Sequence, residues 1–144
     1  MRITILVFAC LTLLGCTDKQ TVQTEKAFKT LTGSRWKYDG EAMLKLLNDN
    51  NSDGKIVQRM ERNIRQMEGG QFLFNPDGRL QIILPQINIR GDWSIEEGAT
   101  HLNMKIDGSM NVKLPILTLS PEKIELGMDS EKVSFPRVFV PVTF

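Results

Sequence analysis

From Gln71 to the end of the chain, apolar residues recur at every second position, and turn residues interrupt them at short intervals. Few features restrict a fold as tightly, because a side-chain period of two belongs to extended strands with one buried face. Phe72 and Phe74 open the pattern. Asn75-Pro76-Asp77-Gly78 then turns the chain, with Pro and Gly where a tight turn takes them. Leu80, Ile82 and Leu84 follow, and Ile87, Ile89, Gly91, Trp93 and Ile95 form one face opposite Asn88, Arg90, Asp92, Ser94 and Glu96. After Glu97-Gly98, Leu102, Met104 and Ile106 oppose His101, Asn103 and Lys105, and Asp107-Gly108 turns the chain again. Met110, Val112, Leu114 and Ile116 precede Ser120-Pro121, with Ile124, Leu126 and Met128 beyond it. The last run, VSFPRVFVPVTF, changes phase near Pro136.

Upstream the period differs. Residues 28–38, FKTLTGSRWKY, read as a first strand entered through a Gly-Ser turn. Asp39 is placed to cap a helix, GEAMLKLLN, that gathers Met43, Leu46 and Leu47 on one face. Ile56, Met60, Ile64 and Met67 then recur at helical spacing, opposite a face bearing Arg59, Glu61, Arg62 and Arg65, until Gly69-Gly70 ends that helix. A helical insertion, 40–68, therefore separates the first strand from seven more. About eight short strands with turns between neighbours predict a mainly β domain over residues 28–144, an antiparallel up-and-down β-barrel that closes on itself and so removes its edges. Pro115, Pro136 and Pro141 cannot donate ladder hydrogen bonds, which leaves a partly open barrel or a sandwich as the alternative.

The N-terminus bears on location. Arg2 precedes an apolar run over residues 3–14, too short for a permanent span but suited to the core of a signal peptide. It ends in Leu13-Leu14-Gly15-Cys16, which resembles the lipobox of bacterial lipoproteins. That resemblance implies cleavage after residue 15 and acyl chains on Cys16. Two or three such chains hold a protein at a membrane without a transmembrane helix. Thr17 stands where an aspartate is associated with inner-membrane retention, so in a double-membraned cell the implied address is the outer membrane. Cys10 leaves with the signal and Cys16 is consumed by lipid, so no thiol remains for a disulfide, a nucleophile or a zinc site. Loss of Arg2 balances 17 basic residues against the 17 acidic ones, which gives no electrostatic case for nucleic acid. Residues 16–27 are polar, without apolar period, and read as the lipidated Cys and a flexible tether.

LTGSRW at 31–36, FLFNPDGRL at 72–80, GDWSIEEGATHLNM at 91–104 and LTLSPEKIELGM at 117–128 together resemble the lipocalin-like domains of bacterial lipoproteins. In those, a Gly-x-Trp opens the barrel, a Phe-x-Phe hairpin follows, and a second Gly-x-Trp strand comes next. Gly91-Asp92-Trp93 matches as it stands, whereas Gly33 and Trp36 stand one residue further apart. The resemblance implies a fold and carries no particular ligand. An eight-strand barrel is wide enough either to fill with its own side chains or to hold one small apolar ligand. If it holds a ligand, the inward set of Trp36, Phe74, Ile82, Trp93, Met104 and Leu126 would line the site. If it is filled, an envelope protein partner is the alternative, with the 40–68 insertion as contact element.

DNNSDGKIVQRM, from Asp49 to Met60, raises calcium. Asp49, Asn51 and Asp53 occupy the first, third and fifth positions of an EF-hand-type loop and Gly54 the sixth. Position twelve, which needs a bidentate glutamate, is Met60, so the stretch fits a turn between helices better than a metal site. The single histidine, His101, falls on the polar phase of its strand. No Walker loop, Gly-x-Gly-x-x-Gly or Gly-x-Ser-x-Gly occurs. The expectation is a protein without catalysis or cofactor.

Overall fold

A computed structural model describes residues 17–50, 53–107, 110–128 and 137–143. The signal-peptide and lipobox segment, including Cys16, lies outside the described residues, as do Asn51 and Pro136.

The chain forms a closed barrel in which β1 (Trp36–Tyr38), β2 (Gln71–Phe74), β3 (Arg79–Ile83), β4 (Asn88–Ile95), β5 (His101–Ile106), β6 (Met110–Leu119), β7 (Ile124–Leu126) and β8 (Arg137–Pro141) are neighbours in sequence order. All pairings are antiparallel, and β1 closes the ring by pairing with both β2 and β8. The partly open alternative is thus overturned. The prolines fit closure because of where they fall. The Pro115 carbonyl accepts from Gly127 N–H at 2.8 Å, just past the end of the three-residue β7, so the donor it lacks is missing only at a frayed ladder end. Pro141 is the last residue of β8.

The period-two reading places the faces. Phe72, Phe74, Leu80, Ile82, Trp93, Leu102, Met104, Val112, Leu114, Ile124 and Leu126 are all buried inward, and Lys37, Arg79, Arg90, Asp92, Lys105 and Lys113 stand outside, exposed. This is the inverse of a membrane-spanning barrel, whose outer band is apolar. Gly91 is needed where β4 and β5 approach closely, since a Cβ there would collide with the Lys105 carbonyl oxygen. Ile87 and Met128 depart from the expected alternation. Leu84 N–H donates to Ile87 O across the Pro85-Gln86 turn, which leaves Ile87 at the base of that turn just before β4, 57% exposed, and Met128 lies beyond β7, 49% exposed.

Three α-helices accompany the barrel among the described residues: α1 (Thr17–Thr32), α2 (Gly40–Asn50) and α3 (Gly54–Gln66). The last two are the expected insertion. Asp39 Oδ1 accepts from Ala42 N–H at 3.0 Å, Met43, Leu47, Met60 and Ile64 are buried, and Gly69 takes the positive φ of 83° that lets the chain turn toward β2. α1 corrects two expectations. Residues 17–26 are not a flexible tether, and the extended strand expected over 28–38 is confined to Trp36–Tyr38. The helix carries few apolar residues, so its own period is faint. Its partner is the barrel, onto which it lays the buried Ala27 and Leu31 and the half-buried Phe28.

Candidate functional site

The six residues proposed to line a ligand site all face inward and belong to one buried cluster: Trp36, Phe74, Ile82, Trp93, Met104 and Leu126, none more than 6% exposed. They are joined there by rings that fill the same space. Tyr38, Phe72 and Phe139 form a triad with centroids 4.7 to 4.9 Å apart, Tyr38 stacked on Phe139 and Phe72 edge-on to both. A second triad runs from Phe28 of α1, stacked on Trp93 at 5.4 Å, to Phe74, edge-on to Trp93 at 5.3 Å. Such spacings are the preferred aromatic geometries, each adding about 0.5–1.5 kcal/mol beyond area burial. Phe139 was not among the sequence candidates. Its run carries Pro136, where the alternation changes phase, and only pairing with Tyr38 and Ile124 shows it to point inward.

Helices adjoin both ends of the barrel. At the mouth where β1 begins, α1 lies beside the β2–β3, β4–β5 and β6–β7 turns. Trp36 Nε1 donates to Leu31 O at 2.9 Å, Gly98 N–H donates to Thr24 Oγ1 at 2.9 Å, and shallow clefts separate α1 from Asn75-Pro76 and from Pro121. Trp93 Nε1 donates to Asn75 O at 3.0 Å, so both indoles have their one donor satisfied while their rings stay in the core. At the other mouth, α2 and α3 occupy the connection between β1 and β2, and α2 packs on β8. Tyr38 sits beneath them. Burial pushes its phenol above the ordinary tyrosine value, against the lowering effects of the Arg137 charge and hydrogen bond.

The Asp49 loop is occupied differently from a metal site. Asp53 caps α3, its Oδ1 accepting from Lys55 N–H at 2.9 Å, and Met60, at the position of the missing glutamate, is buried at 5% exposure. Asp49 is exposed near the end of α2. Among the described residues, no three His, Cys, Asp or Glu side chains gather as a metal site would require.

One polar constellation stands on the outer wall, at the end of β4. Glu96 Oε1 meets Lys113 Nζ at 2.7 Å, and Glu96 Oε2 meets His101 Nδ1 at 3.2 Å. The hydrogen bond from Lys113, with smaller help from its charge, from Asn103 and from His101, holds the Glu96 carboxyl below its ordinary value despite some desolvation. A carboxylate kept ionised in this way is a cross-strand ion pair, the reverse of what a general acid requires.

The closed, antiparallel, eight-stranded barrel with an apolar interior and a polar wall fits the lipocalin-like class of fold. No family model and no curated protein sequence matches the chain. Among solved structures it is similar to the crystal structure of a DUF4847 family protein from Bacteroides vulgatus ATCC 8482, at 12% sequence identity and a TM-score of 0.49, over 76% of this chain and 93% of that one.

Proposed function

We propose that this protein is a non-enzymatic envelope lipoprotein, anchored in the outer membrane through acyl chains on Cys16, in which a filled barrel serves as a scaffold and the α2–α3 hairpin engages a protein partner. The observation that carries this reading is the occupancy of the barrel by its own rings. Tyr38, Phe72 and Phe139 sit in mutual contact where a carrier would place its ligand, and Met43, Leu47, Met60 and Ile64 of α2 and α3 join the same buried cluster. A small apolar ligand would have to displace side chains already in favourable contact. The same geometry therefore weighs against the ligand-carrier reading of Trp36, Phe74, Ile82, Trp93, Met104 and Leu126.

The hairpin offers the contact chemistry. Met60 and Ile64 turn inward, while Lys55, Arg59 and Arg62 project from exposed positions of α3, and Arg65 is held by Glu61 at 2.8 Å. Arginine is favoured at protein interfaces, and a basic stripe selects an acidic partner surface. The double charge reversal Arg59→Glu/Arg62→Glu tests this. Both sites are exposed, so stability should change by no more than ~0.5 kcal/mol per site, while a discrete crosslinked species seen in cells with the parent protein should disappear. An unchanged crosslinking pattern removes the hairpin as the contact element.

A further inference from the structure

The proposed anchor and the docked helix α1 together fix an orientation that a flexible tether would not. We propose that α1 is the membrane-facing surface of this protein: it lies along the lipid headgroups with the β1-entry mouth turned to the bilayer and the α2–α3 hairpin turned away. This rests on the reading of Cys16 as the lipid attachment.

Chain length is the first argument. α1 joins the barrel almost from its start. A side chain added at Gly98 would meet Gln20 Cγ at 3.8 Å, Thr24 holds Gly98 N–H, Ala27 and Leu31 are buried at 3% and 1% exposure, and Phe28 stacks on Trp93. Only Thr17, Asp18 and Lys19 separate Cys16 from Gln20, and helix begins at Thr17. Three residues reach ~10 Å even if fully extended. The anchor therefore holds the barrel against the headgroups and not at the end of a long leash.

Charge is the second. The solvent-facing side of α1, which Pro121 flanks across a shallow cleft, exposes Lys19, Val22, Glu25, Lys26 and Lys29. Glu25 is taken by Lys29 at 2.7 Å, so these exposed positions carry a surplus of positive charge although the charges of residues 17–144 sum to zero. Lysines beside a lipid anchor are attracted to anionic headgroups, and the effect is confined to about a Debye length. Val22, 62% exposed among them, is the apolar residue placed to sit at the interface. Across the barrel, β4 spans 8 residues, and its tilt leaves a height of ~20 Å between α1 and the opposite mouth.

The test uses full-length acylated protein in phosphatidylethanolamine–phosphatidylglycerol vesicles. Once Cys16 is acylated, a single introduced cysteine is the one free thiol. A fluorescent donor is placed on Val22→Cys in one preparation and on Arg62→Cys in the other, both exposed positions, with an acceptor on the lipid headgroups. With ~20 Å of barrel between the labels, quenching at Val22 should exceed that at Arg62 by about three-fold or more. Equal quenching, or stronger quenching at Arg62, in protein whose mass carries the acyl chains overturns the orientation and leaves the anchoring intact. A mass without acyl chains on Cys16 overturns both.

Discussion

Phe139 concentrates the argument at the residue scale. It is fully buried, pairs with Tyr38 and Ile124 across two strands, and completes the triad that occupies the barrel. Phe139→Ala leaves a hole among rings that cannot all collapse into it, so urea unfolding should report a loss of ~3–5 kcal/mol. A loss under ~1 kcal/mol would mean that the interior is loose. Tyr38, the protein's one tyrosine, gives a spectroscopic reading of the same core. Its folded pKa is raised, so the neutral phenol is the form that folding favours. Its contribution is complete below the unfolded value and disappears as pH rises through the folded one. Tyrosinate absorbance should therefore stay flat through the ordinary tyrosine titration near pH ~10 and rise only at higher pH, together with loss of structure. Reversible titration at the ordinary value in the intact fold would contradict its burial.

At the scale of elements, α1 divides the readings most sharply. Were α1 not docked on the barrel, Phe28→Ala would be neutral. With the helix docked, Phe28 shields Trp93, and the substitution should cost ~3 kcal/mol and shift tryptophan emission to the red; unchanged stability and emission would undock the helix. What could be read from the residues follows the strength of each local signal. The strands from Phe72 to Leu126 were legible because alternation and turn chemistry agree, and the α2–α3 insertion because Asp39 stands to cap α2 and Met60 and Ile64 keep helical spacing in α3. α1 was not, because its helix is stabilised by tertiary contact at Ala27, Phe28 and Leu31 and not by a continuous apolar stripe. The inward set was legible as far as the alternation held. Phe139 falls beyond the phase change at Pro136, and Ile87 departs from the pattern because the Pro85-Gln86 turn delays the start of β4 to Asn88.

For the whole molecule, the barrel and its three α-helices enclose one apolar core and keep their charged side chains on the outside. Ion pairs such as Glu96–Lys113 and Arg65–Glu61 decorate that outside, where solvent screens them and they contribute little to stability. Cohesion lies in the interior, and so does the central claim that this interior is already full. Native mass spectrometry of residues 17–144, made without the anchor and purified gently, tests that claim most directly. The account predicts a bare chain mass, unchanged by added calcium or by fatty-acid probes. A discrete added mass, lost on denaturation, would contradict it and make the barrel a carrier.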